Sequence, residues 1–199
     1  MADTGPPWNL RFPGPQDFVR ETNFYIEDLA EDVADGLSAA GGLVAVKHAI
    51  FTGTESESVL SGENFAVQDL EITHALADAS NKLIISAFFG AAANSDGTGR
   101  VGIAVHDGTG LIAIGDADGV RTRVTAGGLV AGSDSLLVVT MPSVTFVHTP
   151  NTTDSRTYTV RAINISGTQT LFINREENDG NFPSRPRAVS SLVVQEVKV

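Results

Sequence analysis

From Leu43 onward, apolar side chains recur at every second position in short runs separated by Gly, Asp, Asn and Pro. The runs are LVAVKHAIF (43–51), NFAVQDLEIT (64–73), KLIISAFFG (82–90) and RVGIAVHDG (100–108), followed by LIAIG (111–115), VRTRVTA (120–126) and SLLVVTM (135–141). VTFVHT (144–149), RTYTVRAIN (156–164), TLFINR (170–175) and SSLVVQEVKV (190–199) complete the series. Alternation with period two, in segments rich in Val, Ile, Thr and aromatics, predicts strands half-buried against a core. No segment of helical period intervenes, so residues 43–199 are expected to form an antiparallel β-sandwich of jelly-roll type. Within 156–164 the alternation sends Tyr158, Val160, Ala162 and Asn164 to one face. Within 120–126 it places Arg121 and Arg123 together with Thr125 on one face of a strand.

The first 42 residues follow other rules. Residues 1–16 contain Pro6, Pro7, Pro13 and Pro15 with Gly5 and Gly14, a density that predicts an extended arm. Trp8, Leu10 and Phe12 alternate along it and need a surface to cover them, either on the body or on a partner. Residues 17–42 predict one short α-helix and a glycine linker, with Asp17 as N-cap and Gly36, Gly41 and Gly42 beyond the helical pattern. Val19, Ile26, Leu29 and Val33, with Thr22 and Gly36, fall at coiled-coil seam spacing, and Glu27, Asp28, Glu31 and Asp35 lie outward. Two arrangements fit: helices of neighbouring copies gathering along that seam, or one helix lying on its own body. The chain thus divides into an arm (1–16), a helix and linker (17–42) and a sandwich body (43–199).

Twenty glycines and a charged fraction of 19% suit a turn-rich globular body. A net charge of −11 repels phosphate backbones, so nucleic acid is not an expected partner. No run approaches the ~20 apolar residues of a membrane span, and the first fifteen residues lack the apolar core of a signal peptide. The absence of cysteine excludes disulfides, thiolate metal sites and a cysteine nucleophile.

Motifs with chemistry attached are few. GDADG (115–119) opens like a calcium loop but lacks the later acidic positions, so it reads as a turn. His48, His74, His106 and His148 stand singly, without zinc spacing. No GxSxG elbow occurs. Asp3-Thr4-Gly5 matches an aspartic-protease tripeptide but sits in the proline-rich arm. Glu176, Glu177, Asp179 and Asn181 share one loop, too close in sequence to flank a glycosidic bond as two catalytic carboxylates. They read instead as an exposed, receptor-contacting or solvating loop. No catalytic residue, metal or cofactor is expected.

Residues 63–90 and 144–197 resemble a bacteriophage virion module. Ser80, Lys82 and Ile84-Ile85 match its first half, although the proline of the family line is missing. Thr149-Pro150, Thr153, Tyr158, Asn174-Arg175, Arg187-Ala188, Ser190-Ser191 and Glu196 match its second half. FPGPQDFVRETNFYIEDLAEDV (12–33) is similar to the leader of phage tail fibres and minor tail proteins. The resemblance implies a homotrimeric, non-enzymatic virion appendage of tail-fibre or tail-tip type. Its N-terminus would anchor to other virion proteins, and its loops would meet host-surface glycan or protein. Trp8, Leu10, Phe12, Val19, Ile26, Leu29 and Val33 would make the docking and self-association contacts. A capsid decoration or head-fibre protein is the alternative, and a polysaccharide depolymerase a more distant one. Asn174, Arg175 and Arg187 are expected to hold the final hairpin together rather than bind ligand.

Overall fold

The computed structural model describes residues 2–3, 11–12, 42–93, 100–129, 141–177, 179–181, 183 and 187–199. The expected helix at 17–37, with Val19, Ile26, Leu29 and Val33, lies outside these residues, as do Trp8, Leu10 and most of the run 135–141. Of the arm, two short strands are described: β1 (Ala2–Asp3) pairs antiparallel with β2 (Arg11–Phe12).

The body is mainly β, a jelly-roll-like sandwich in which every strand pair is antiparallel. Its strands are β3 (Leu43–Phe51), β4 (Glu55–Val59), β5 (Asn64–His74), β6 (Lys82–Phe88), β7 (Ala91–Ala93) and β8 (Arg100–His106). They continue as β9 (Leu111–Ile112), β10 (Ala126–Leu129), β11 (Ser143–His148), β12 (Arg156–Asn164), β13 (Gln169–Ile173) and β14 (Ser190–Val197). No helix occurs among the described residues. One layer runs β10-β8-β12-β5, with β9 beside β8; the other runs β11-β6-β14-β3, and a third small sheet runs β4-β13-β7.

The third sheet continues the second. β3 passes into β4 through residues 52–54, and β6 passes into β7 through Phe89 and Gly90. β13 lies between β4 and β7 just as β14 lies between β3 and β6. The result is a three-stranded band broken across its middle. The break lets it curve over the core, since a flat sheet cannot wrap one.

The alternation read from the sequence is realised. In β6, Leu83, Ile85 and Ala87 point inward, and in β14 Leu192 and Val194 do the same. In β12, Tyr158, Val160, Ala162 and Asn164 are all buried, as the period required. The apolar ones among these side chains join Leu70, Phe89, Ile103, Leu171 and Ile173 in one hydrophobic core. At about 25 cal/mol per Å² of apolar surface, this burial is the main favourable contribution to folding.

Two segments depart from expectation. Only Leu111 and Ile112 of 111–115 form strand, because Ala113 turns to φ 52°. Residues 120–125 form a loop, so Arg121 and Arg123 do not share a strand face: Arg121 pairs with Asp118, and Arg123 Nε donates to the Gly115 carbonyl. Both guanidiniums were satisfied locally, which removed any need for a strand.

Candidate functional site

The polar residues that count in this fold are buried, and they gather at its breaks. At the break of the three-stranded band, Asn174 follows β13 with φ 60°, a left-handed conformation that Asn tolerates better than most residues. Its side chain is wholly buried. Its Nδ2 donates to the carbonyls of Phe51 (2.9 Å) and Gly53 (3.0 Å), its backbone N–H donates to Gly90 (2.8 Å), and its Oδ1 accepts from Ser190 Oγ (2.6 Å). The Ala188 N–H completes the set by donating to the Asn174 carbonyl. One residue therefore ties all three strands of the band where their ladders stop. Beside it, the Arg175 guanidinium lies 4.7 Å from the Phe172 ring centroid. Arg187 pairs with Asp179 across the same loop.

The second cluster closes the crossover between the two main layers. Glu196 in β14 is 1% exposed, yet it carries a carboxylate. Oε2 meets His74 Nε2 at 2.9 Å; Oε1 accepts from the Ala77 N–H (2.8 Å) and Asn81 Nδ2 (2.6 Å). Burial works to raise its pKa, but these donors outweigh burial and hold the carboxyl below its ordinary value. The turn from β5 to β6 is thereby bolted to the strand it must pack against.

The third cluster lies at the same end, since Arg156 pairs with His74 in the β12–β5 register. Asp107, 3% exposed, accepts from the Thr109 N–H and hydroxyl, the Gly110 N–H and the Arg156 guanidinium. Burial opposes ionisation, yet these partners hold its pKa at about 2. His148 packs edge-on against Tyr158, with its Nε2 3.8 Å from Asp107. Burial lowers the His148 pKa against the pull of Asp107, with Arg156 adding to the lowering, and burial raises the Tyr158 hydroxyl to about 12. At the opposite end of β12, Asn164 does for the β4–β5 turn what Asn174 does for the band. Its Nδ2 donates to Val59 and Gly167, and its Oδ1 accepts from Ser166.

His74 is engaged with Glu196, and His106 Nδ1 accepts the N–H of Gly108. Among the described residues, no group of three His, Asp or Glu is placed to hold a metal ion. These clusters are clamps that join strands and turns.

The loop expected at the surface is only partly there. Glu176, expected in an exposed loop, is 2% exposed and turned inward. Glu177 is half-buried, Asp179 is engaged by Arg187, and Asn181 is exposed. The Phe12 backbone lies in β2, paired with Ala2. The sequence marks no role for Asp107, places Asn164 on the inward face of its strand without a partner, and shows His74 and His148 as single histidines.

No family model matches the chain, and no curated protein matches it. Solved structures give a loose likeness. The crystal structure of the infectious bursal disease virus VP2 subviral particle shares 13% identity at TM-score 0.34, covering 78% of this chain and 40% of that one. The structure of the Gx strain of infectious bursal disease virus shares 18% identity at TM-score 0.27, covering 79% and 38%. This chain therefore spans about two fifths of the length of either. Superpositions this loose leave the function to be read from the chain's own residues.

Proposed function

We propose that this chain is a non-enzymatic structural protein of a bacteriophage particle, a capsid decoration or head-fibre type unit that stabilises the head. It assembles as a homotrimer and is held to other virion proteins through residues 1–42. One observation carries the reading: four of the residues that match the phage module are buried in the fold, and three of them are its clamps. Tyr158, Asn174, Ser190 and Glu196 are each no more than 1% exposed, and three of them form the hydrogen bonds that join strands. The shared pattern therefore encodes a stable β-body and no reaction. The inward turn of Glu176 favours decoration over host recognition, because a contacting tip would present its carboxylates.

A tail-fibre or tail-tip appendage touching host-surface glycan or protein is the second reading. It is favoured by the exposed Asn181 beside Asp179 on that loop. Antibody raised against residues 43–199 and imaged on purified particles tests both. Label over the head supports decoration, label at the tail supports the appendage, and particles without label overturn a virion role.

A further inference from the structure

The outer face of the β11-β6-β14-β3 sheet differs in charge from the rest of the molecule. The chain has 24 acidic residues, yet these four strands contain one, Glu196, and it points into the core. By contrast, β4 and β5 carry Glu55, Glu57, Asp69 and Glu71. In place of charge the outer face shows apolar groups. Val147 is 61% exposed, Ile50 54%, Val46 51% and Val44 43%, and the half-buried Ile84 and Phe88 lie between the two edge strands. The register sets them in rows: Val147 beside Ile84, and Phe88 and Ile50 on either side of Ser191. Lys82 and His48 are the face's charged or titratable groups. β3 forms its border, an edge strand apolar but for Lys47 and His48, with nothing paired beyond it among the described residues. Long apolar edges of this kind invite pairing, and sheets that stay alone usually blunt them with charge.

We propose that this face is where copies of the chain pack on one another. The inference rests on the self-association proposed above and says which surface performs it. Two arguments select a second copy as the occupant. First, two bodies of one chain with net charge −11 repel each other through most of their surfaces, and a sheet face without acidic groups is where they approach at least cost. Second, the size fits. Four strands at ~4.8 Å spacing and seven residues at ~3.4 Å give a flat footprint of roughly 450 Å² per copy. Two such faces remove roughly 900 Å² of flat area, the size of a small interface.

The test is multi-angle light scattering of the full chain at micromolar concentration. The wild type is expected as an oligomer. Val46→Glu with Ile50→Glu, and separately Val147→Glu, should give the monomer mass with unchanged circular dichroism, and Glu71→Lys on the opposite layer should keep the wild-type mass. Because the chain has no cysteine, His48→Cys gives a second readout that does not load the face with charge. Its maleimide labelling should be at least tenfold slower than that of Glu71→Cys, and dilution to monomer should remove the difference. An oligomer that survives both face variants, with His48→Cys labelling freely, overturns this surface and leaves the trimer itself standing. A wild-type monomer overturns self-association and this surface together. Slow labelling of His48→Cys in a monomer would place residues 1–41 there instead, which also overturns the proposal.

Discussion

Asn174 accepts a 2.6 Å hydrogen bond from Ser190, and neither side chain has measurable exposure. The chain leaves the sheet after Asn174 and re-enters it at Ser190, sixteen positions on, and this bond marks where it returns. The Asn174 side chain also holds the Phe51 and Gly53 carbonyls, so its removal would strand these and the Ser190 hydroxyl at once. Each stranded group costs about 1–3 kcal/mol. A left-handed backbone adds about 1 kcal/mol for any Cβ-bearing residue that cannot bond locally. Asn174→Ala is therefore expected to lose about 3–5 kcal/mol in urea unfolding. Asn174→Gly should recover the backbone share alone, and Ser190→Ala should cost about 1–3 kcal/mol. A loss below about 1 kcal/mol for Asn174→Ala would show that water replaces the clamp.

Acid should weaken the body in two stages, both of the same sign. The folded pKa of His148 lies below its ordinary 6.5, so the unfolded chain takes up its proton first and stability declines as pH falls through that value. Asp107 and Glu196 are held below their ordinary values, Asp107 at about 2. Their stabilisation is complete above the usual carboxylate range and is lost as pH drops through their folded values. Melting temperature should fall from pH 7 to pH 5 and then more steeply below pH 4. His148→Phe should flatten the first stage, and Glu196→Gln should lower stability at pH 7 while shallowing the second. A melting temperature constant from pH 7 to pH 3 would contradict both.

The strands with a buried face were legible from period two alone. β3, β6 and β12 begin at the residues where the pattern begins; in β6 and β12 an alternating row lies in the core, whereas in β3 only Phe51 does and the apolar row faces out. β4 escaped notice because ESESV has almost no apolar row; it is held by β13 rather than by burial. β7 is three alanines, too short and too small to show a pattern. The run at 120–126 alternates without being a strand, since Arg123 reached Gly115 within the loop. The clamps around Glu196 and Asn174 had no local signature. His74 and Glu196 are 122 residues apart, and Asn174 and Phe51 are 123 apart, so only resemblance to other sequences marked Asn174 and Glu196.

Removing residues 1–42 should leave a folded β-body. The described core is built from residues 51–194, and β3 starts at Leu43. Circular dichroism of 43–199 should be strand-dominated, and light scattering should give the same multiplicity as the full chain. Incorporation into particles should be lost. A helix-rich spectrum would contradict the fold, a clean monomer would move self-association to residues 1–42, and normal incorporation would refute their anchoring role.

Chelation should leave the protein unchanged. GDADG folds as a turn with Asp118 engaged by Arg121, and the described residues assemble no metal-binding group. Melting temperature with EDTA should match the untreated value. A fall of several degrees, restored by one specific ion, would reveal a site bound only by the native state.

Successive strands of the body change sheet at nearly every step, and this governs how the chain can reach its fold. β5 waits for β12, β4 waits for β13, and β3 waits for β14, which ends at Val197. Contacts this distant in sequence make folding slow and leave apolar edges open while it proceeds. On the ribosome, β3 must remain unpaired until nearly the whole body has emerged. Its Val44, Val46 and Ile50 are then the residues most exposed to premature contact with other nascent chains, so high-level synthesis should depend on temperature and on chaperone capacity.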